Sequence, residues 1–402
     1  IEQVRREREQ NEGVAGEWRL FPHNSNPDEL VTALDGKGTE WCIAGRDVAD
    51  SYLGQGDIWV YFSEDKSQNP VDPRTCVRLI DGKIAEVRGV ADKDQNLEPQ
   101  FVDIARDKYK EFPGNEQYEK KAGDMQHLTA IEKKDKSSQE LNREDLVFIY
   151  ELGSQIQGFG YERDPRIAEL RSSRNPETDM PIVFECDPNQ IARSVEEMDE
   201  NTKAFVGALE PGVFTKIAEL PGVEHLYTNF PEGKINRSEL TIGGKTIEQL
   251  INEMKERKIN FDSVAEYILD QTPVLKSPES ITIIRLKVGS LGFTRRPTTD
   301  ELYARAEELG LELCPAETGP HQRLKDLDQP MGDWYRIAMK QITDRRGNPD
   351  VFSLEHDDFG LWLRSRWAGP VDKWGLDFQF AFRLRQVSPD AKSSRPLPQF
   401  EY

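Results

Sequence analysis

The apolar residues of this chain lie in short periodic segments, and this pattern limits its fold more than any other feature. DIWVYFS (57–63) alternates inward and outward positions as a strand does, whereas TTDELYARAEELG (298–310) has helical spacing. No apolar run approaches the roughly eighteen residues that a membrane span needs. The chain of 402 residues therefore predicts several small cores, in two to four domains of about 150 residues each.

The chain is acidic, with 53 Lys and Arg residues against 73 Asp and Glu residues and a formal net charge of −20. The excess of acid lies in residues 1–280, because residues 281–402 hold 18 basic and 18 acidic residues. An acidic body repels a phosphate backbone, which disfavours extensive binding to duplex DNA or RNA. A negative net charge does not exclude a small basic groove on the surface.

The cysteines are too few and too scattered for a disulfide framework or a structural zinc site. They are Cys42, Cys76, Cys186 and Cys314, with no CxxC spacing. We expect reduced thiols, a cytoplasmic location and no cofactor. Because the sequence starts at Ile1 rather than at Met, we expect a fragment of a longer protein.

The periodic segments divide into five units, which predict an α+β fold of several small mixed α/β modules. In these modules antiparallel sheets have flanking helices, and a helical connector joins them. The predicted units are an N-terminal helix (1–26), an α+β domain (27–112), the helical connector (113–180), an α/β domain (181–290) and a C-terminal α+β domain with an antiparallel sheet (291–402).

Within the first domain the predicted order is α-α-β-β-β-α, with Asn26-Pro27 starting a helix. Asp81-Gly82 between two alternating segments indicates a β-hairpin. We predict a three-residue loop (81–83) with a bulge, because that register separates apolar from charged residues best. It places Ile80 opposite Ile84, and Arg78 opposite Glu86 on one face.

Further along the chain, residues 115–175 are predicted to be helical, with Asn142 as an N-cap. The polar segment RSSRNPETDMP (171–181) is predicted to be a linker. Strands and helices alternate over 201–290, and four antiparallel strands are predicted after residue 333.

One part of the chain resembles a known family. Trp41-Cys42, Tyr52, DIWVYFS, PRTCVRL, IAEVRG and the segment 95–99 follow one another in an order that resembles the PcfJ-like domain of conjugative-plasmid and phage proteins. The resemblance covers residues 27–112 and implies a link to mobile elements. Trp41 stands where that family usually has His. The rest of the chain resembles uncharacterised multidomain proteins of uncultured bacteria.

The main candidate site lies on the predicted hairpin. It comprises Cys76, Arg78, Glu86 and Arg88, with Arg46 and Asn96 near them in the sequence order. Arg and Glu side chains that face one another on a sheet can bind an anionic or planar ligand. They can equally form a structural ladder of ion pairs beneath a covering helix.

Three other groups have both a functional and a structural interpretation. Gly243-Gly244-Lys245-Thr246 could hold an anion with its backbone amides or form a tight strand-to-helix turn. Cys314, Glu317 and His321 have ligand atoms for zinc, but their spacing is irregular and no metal is predicted. The tryptophans of the last unit suggest either a binding platform or a packed core. These are Trp334, Trp362, Trp367 and Trp374.

These observations predict a non-enzymatic interaction protein that binds another protein and is linked to mobile elements or defence. The alternative is an enzyme or sensor that acts on a nucleotide or a nucleic-acid end through the face of Arg78, Glu86 and Arg88. The sequence leaves open whether the chain is an enzyme. A pocket that holds these three side chains would favour the alternative, and a well-packed ladder of ion pairs would favour the first interpretation.

Overall fold

The chain has an α+β fold, seen in a computed structural model that describes residues 14–385 except 40, 42, 44, 92–94, 160 and 161. It divides into two compact units, Ile1–Ser173 and Arg174–Tyr402. None of the helices that the structure describes combines the length and apolarity of a membrane span.

The first unit is built on a four-stranded antiparallel sheet whose strands lie in chain order. Its strands are β1 (Gly16–Phe21), β2 (Ile58–Glu64), β3 (Pro70–Ile80) and β4 (Lys83–Arg88). Alternate side chains of β3 point to opposite faces. Cys76 packs in a core with Leu30 and Leu53 of the first two helices, whereas Val77 packs with Tyr109 on the other face.

The structure describes six α-helices in this unit. They are α1 (Pro27–Leu34), α2 (Arg46–Leu53), α3 (Val102–Tyr109), α4 (Asn115–Lys136), α5 (Arg143–Ile149) and α6 (Pro165–Ser172). The predicted start of α1 is confirmed, because the Asn26 side chain accepts the Asp28 N–H at 3.1 Å. The predicted N-cap at Asn142 is confirmed as a capping box with Asp145.

The N-terminal helix predicted over 1–26 is wrong where the structure describes this segment. Gly16–Phe21 forms β1, which pairs with β2 from Gly16 opposite Ser63 to Phe21 opposite Ile58. The many charges suggest an exposed helix, but they also suit an edge strand that is mostly open to solvent. Residues 1–13 and Cys42 lie outside the described part of the chain.

The hairpin has the predicted Arg78–Glu86 pairing but a different loop. Asp81 and Gly82 form a two-residue turn with φ of 51° and 73°, and Ile80 pairs with Lys83. The register then shifts, so that Leu79 is opposite Ile84 and Arg78 is opposite Glu86. The predicted three-residue loop is therefore wrong. A bulge at Ala85, inside β4, restores the register that the hydrophobic pattern favours.

The polar segment 171–181 is not an open linker. Asn175 caps helix α7 (Pro176–Phe184) by accepting the Glu177 N–H at 3.1 Å, and Pro176 occupies the first turn. The boundary between the two units lies between Ser173 and Arg174, at the start of this segment. The Asn-Pro pair is a helix-start signal that the polar composition concealed.

The second unit contains a nine-stranded mixed sheet that spans the boundary predicted at residue 290. Its central order is β8 (Asn236–Ile242), β10 (Glu279–Lys287), β16 (Gln379–Leu384), β12 (Trp334–Ile337), β14 (Pro349–Asp357), β15 (Gly360–Trp367) and β9 (Asn260–Phe261). Two short strands, β11 (Leu311–Glu312) and β13 (Ile342–Thr343), pair with β16 and β14. The domains predicted at 181–290 and 291–402 therefore share one sheet and one core.

Other elements cover this sheet or lie beside it. The helices are α8 (Val213–Glu219), α9 (Ile247–Glu256), α10 (Ser263–Asp270), α11 (Thr299–Glu308) and α12 (Thr318–Lys325). A separate parallel sheet consists of β5 (Ile191–Ala192), β6 (Ala204–Val206) and β7 (His225–Tyr227). The prediction of four antiparallel strands after residue 333 is confirmed for β12, β14 and β15. It is wrong for β16, which runs parallel to β12.

We predict that replacing Gly82 by Ala destabilises the first unit by about 1 kcal/mol, because its φ of +73° disfavours any side chain. Gly123 in α4 is the matched control: a Cβ there also meets open space, but its φ is not positive. Gly123→Ala should stabilise by about 0.5–1 kcal/mol. Urea unfolding measures both changes, and equal effects of the two substitutions would contradict the turn geometry.

Candidate functional site

The predicted face on the hairpin exists, and its charged side chains bind one another. Arg78 Nη1 donates to Glu86 Oε1 at 2.7 Å, and Arg88 Nη2 donates to Glu86 Oε2 at 2.6 Å. The three side chains are only 11%, 26% and 17% exposed, in the order Arg78, Glu86, Arg88. One carboxylate thus holds two guanidinium groups, which leaves a single net positive charge on this face.

Helix α2 covers this face with Tyr52. The Arg78 guanidinium lies 4.1 Å from the centre of the Tyr52 ring, and Arg88 Nη2 donates to the Tyr52 hydroxyl at 3.3 Å. Arg78 Nη2 also donates to Gln55 Oε1 at 2.7 Å. Each guanidinium therefore has fixed partners, as in a structural ladder of ion pairs, although Arg78 Nε has no partner among the described residues.

Two residues that the sequence placed near this site have other contacts. The Arg46 guanidinium is about two-thirds exposed and lies 3.3 Å from Asp28. Asn96 accepts the Ala91 N–H with its backbone carbonyl at 3.0 Å. Sequence order brought both residues into the prediction, but neither of these contacts involves Arg78, Glu86 or Arg88.

Cys76 lies beneath the arginines but is not suited to act as a nucleophile. Burial raises the pKa of its thiol to about 12, with a further contribution from Glu86. A thiol needs a lowered pKa to be reactive near neutral pH. The thiol is free and buried, so it acts as a small core residue.

The three candidate zinc ligands do not come together. Glu317 Oε2 and His321 Nε2 are 3.6 Å apart, but the Cys314 thiol donates instead to the Ala381 carbonyl at 3.5 Å. Burial raises the pKa of Cys314 to about 12. Within the part of the chain that the structure describes, no group of three His, Cys, Asp or Glu residues could hold a metal ion.

Glu317 instead fills the candidate anion cradle at the double glycine. The Gly243 N–H donates to Glu317 Oε2 at 3.1 Å and approaches His321 Nε2 at 3.3 Å. Glu317 Oε1 accepts the Leu275 N–H at 2.9 Å. Burial raises the pKa of Glu317 and lowers that of His321. The turn at Gly243 therefore binds an anion, but the anion is a side chain of the same protein.

The four tryptophans of the last unit divide between core and surface. Trp374 is buried, Trp334 and Trp362 are half-buried, and Trp367 is 63% exposed. The Trp374 Nε1–H donates to Thr299 Oγ1 at 3.0 Å, as expected of a core residue. Trp367 is at the end of β15, where it pairs with Asp350 in the strand register.

Sequence reasoning missed Arg336, a buried cation enclosed by aromatic rings. Its guanidinium lies among the rings of Trp334, Trp374 and Phe378, at 4.9, 4.8 and 4.8 Å from their centres. The side chain is buried, and neither Nε nor Nη1 has a hydrogen-bond partner among the described residues. Burial, together with nearby Arg366, lowers its pKa to about 10.

Two other buried arginines have acceptors from the protein. Arg74 Nε donates to Ser63 Oγ at 2.8 Å, and Arg74 Nη1 donates to Glu98 at 3.2 Å. Arg323 donates to Gln329 and to the Asp326 carbonyl through its two terminal nitrogens, although its Nε has no partner among the described residues. Arg336 is surrounded by rings, which attract its charge but accept no N–H in the plane of the guanidinium.

Arg336 lines an open cavity of about 460 Å³ together with Arg366 and Asp350. On the same face of the sheet, Arg366 Nη2 donates to Glu355 Oε2 at 2.7 Å, and Arg364 Nη2 donates to Asp357 Oδ2 at 2.7 Å. The alternation of WYRI (334–337) could have placed Arg336 beside Trp334 on one face. Its position among rings from distant segments could not be read from the sequence.

Comparison with family models, with curated proteins and with solved structures finds no match for this chain. The resemblance of residues 27–112 to the PcfJ-like domain therefore stays a prediction. The chain's own contacts are the basis for the function proposed below.

We predict that Glu86→Gln destabilises the protein by about 1–3 kcal/mol, because two partly buried guanidinium groups lose their shared negative charge. The matched control is Glu17→Gln on the same sheet, where Glu17 and Arg19 are 57% and 44% exposed and 3.5 Å apart. That change should cost less than about 0.5 kcal/mol. Denaturant unfolding compares the two variants, and equal losses would contradict the prediction that the buried ladder contributes more than an exposed ion pair.

Asp350 predicts a pH-dependent stability. Burial and nearby Asp344 raise its pKa from 3.8 to about 6, and its Oδ2 has no hydrogen-bond partner among the described residues. The folded state therefore holds a proton between pH 4 and 6 that the unfolded chain has lost, so stability falls as pH rises through this window.

Asp350→Asn removes the loss of stability that accompanies ionisation of the Asp350 carboxyl. Relative to the unmodified protein, the variant should be about 1–3 kcal/mol more stable at pH 7.5 than at pH 4, a change obtained from urea unfolding at both pH values. If the two proteins differ in their free energy of unfolding by the same amount at both pH values, Asp350 does not ionise as described.

Proposed function

We propose that this chain is a non-enzymatic binding protein whose second unit recognises an anionic group of its partner at Arg336. The observation that carries this proposal is the buried Arg336 guanidinium, two of whose nitrogens have no acceptor among the described residues. It lines an open cavity of about 460 Å³ at the protein surface.

An unpaired buried donor is costly, at roughly 1–3 kcal/mol or more when the group is charged. Rings around a guanidinium offset part of this cost through cation–π attraction. A phosphate or carboxylate would offset the rest, because either anion accepts two parallel N–H groups from one arginine. Arg366, which lines the same cavity, adds positive charge, and Asp350, which also lines it, adds negative charge above its pKa of about 6.

The non-enzymatic part of the proposal is supported by the contacts of the candidate reactive side chains. Cys76 and Cys314 are buried thiols with raised pKa values. Glu317 holds two backbone amides, and Glu86 holds two arginines. Each group already has a structural role, so its conversion to a catalyst would break a contact on which the fold depends.

A second candidate is a nucleotide or a nucleic-acid end bound at Arg78, Glu86 and Arg88. The observation in its favour is the single net positive charge beside the Tyr52 ring. An incoming anion would have to displace Glu86, which makes Arg336 the stronger proposal.

We further propose that the partner is a protein, that the chain is cytoplasmic, and that it is linked to mobile elements or defence. The free thiols of Cys76, Cys186 and Cys314 agree with a reducing compartment. The link to mobile elements or defence depends on the resemblance of residues 27–112 to the PcfJ-like domain.

We expect inorganic phosphate or acetate, added at constant ionic strength, to change the tryptophan fluorescence saturably, since Trp334 and Trp374 contact Arg336. Arg336→Gln should weaken binding of the better anion by about tenfold or more. Arg385→Gln is the matched control, because Arg385 is 46% exposed and paired with Glu312. It should leave the affinity unchanged.

Circular dichroism of each variant checks that it is folded, and Arg366→Gln gives a second, more exposed test of the same cavity. No saturable response to either anion would overturn the proposal. A response that is lost in Arg88→Gln but kept in Arg336→Gln would favour the second candidate instead.

A further inference from the structure

The edge strand β1 has backbone groups whose direction follows from one contact. The Glu64 N–H donates to the Ala15 carbonyl at 2.9 Å, where the pairing of β1 with β2 begins. Opposite residues of an antiparallel pair alternate between hydrogen-bonded and non-hydrogen-bonded positions. Glu17 and Arg19, two and four residues after Ala15, therefore exchange hydrogen bonds with β2. The residues between them direct their backbone N–H and C=O groups away from the sheet.

These outward backbone groups belong to Gly16, Trp18 and Leu20. In the part of the chain that the structure describes, β2 is the only strand that pairs with β1, and none of the three N–H groups donates to a backbone carbonyl. The other edge strand, β4, is different, because the Ile84 N–H donates to the Pro113 carbonyl at 3.3 Å. β1 thus presents a row of backbone donors and acceptors with which another strand can pair.

The side chains of β1 carry two charges in an order that suits antiparallel pairing of β1 with itself. Glu17 and Arg19 lie on one face of the strand and are 57% and 44% exposed. When a second β1 runs antiparallel with Trp18 opposite Trp18, Glu17 lies opposite Arg19 of the second copy, and Arg19 lies opposite its Glu17. Charges on an edge strand usually keep other strands away, but here the two signs attract a second copy.

The backbone and the charges require the same register. With a two-fold axis at Trp18, the two Trp18 residues exchange hydrogen bonds, and Gly16 exchanges them with Leu20 of the second copy. Glu17 and Arg19 then occupy the non-hydrogen-bonded positions, where opposite side chains come closest. On the other face the half-buried Trp18 ring lies beside its equivalent. Opposite charges and aromatic pairs at facing positions both favour strand pairing.

We propose that a second copy of this chain pairs with β1 across a two-fold axis, so that two four-stranded sheets form one continuous antiparallel sheet. The inference is independent of the anion site at Arg336, because it concerns a strand of the first unit. A single pair of six-residue strands is a small contact. We therefore expect a dimer that depends on concentration, with a dissociation constant of about 10–100 µM.

Sedimentation equilibrium of the whole chain tests this proposal, over about 5–200 µM protein at physiological salt. We expect the average mass to rise from that of one chain toward that of two. Glu17→Arg places a second guanidinium opposite each Arg19 and should raise the dissociation constant about tenfold or more. Arg19→Glu should have the same effect, because it places two carboxylates opposite each other.

Glu224→Arg is the matched control for the change in net charge. Glu224 and Lys203 form a comparable exposed pair, 62% and 44% exposed and 3.4 Å apart, and they lie in the second unit. This variant should leave the dissociation constant within about twofold of that of the unmodified protein. An equal loss of association in Glu224→Arg and Glu17→Arg would contradict the pairing at β1.

A mixture of the two β1 variants tests the register itself. Glu17→Arg chains carry two positive charges on this face and Arg19→Glu chains carry two negative charges, so a mixed pair regains both contacts between opposite charges. We expect the equimolar mixture to associate about as tightly as the unmodified protein, whereas each variant alone stays mostly monomeric. Circular dichroism checks that each variant is folded.

Three results would overturn the proposal. They are an unmodified chain that stays monomeric at about 200 µM, an association that Glu17→Arg leaves unchanged, and a mixture of the two variants that does not associate.

Discussion

An arginine keeps its positive charge at any physiological pH, so burial of its guanidinium requires acceptors that the rest of the fold must supply. Arg74 shows this requirement met: Ser63 on β2 and Glu98 before α3 converge on one side chain of β3. The contact ties the sheet of the first unit to the segment that follows it. Arg336 has the same requirement in the second unit, where aromatic rings enclose it without accepting its N–H groups in plane.

Three of the candidate sites attract an anion, and two of them are filled from within. Glu86 lies between Arg78 and Arg88, and Glu317 lies against the amides of Gly243 and Leu275. In both cases the internal carboxylate completes the site and removes its capacity for a ligand. At Arg336 a carboxylate on the same face, Glu355, is engaged by Arg364 and Arg366. Arg336 therefore lacks the internal carboxylate that fills the other two sites, and for this reason we propose it as the binding site.

Local signals in the sequence predicted much of the fold. Capping residues such as Asn26 and Asn142 marked helix starts, because a cap depends on neighbours two or three residues away. The pairing of Arg78 with Glu86 followed from the hydrophobic pattern of a single hairpin. Long-range pairing could not be predicted in this way: β10 lies between β8 and β16, and its contact with β16 joins residues about a hundred positions apart. The site at Arg336 has the same origin, since its rings come from β12 and from the distant segment before β16.

If Arg336 is a binding site, its guanidinium must be open to an external anion. Two-dimensional ¹H–¹⁵N NMR of arginine Nε–H groups observes this directly, with Arg336→Gln used to assign its signal. We predict that the Arg336 Nε–H resonance shifts downfield and exchanges more slowly with water as phosphate is added, whereas the Arg74 resonance stays unchanged because Ser63 already accepts its Nε–H. An Arg336 resonance that does not respond to phosphate while the exposed arginines do would contradict the anion site.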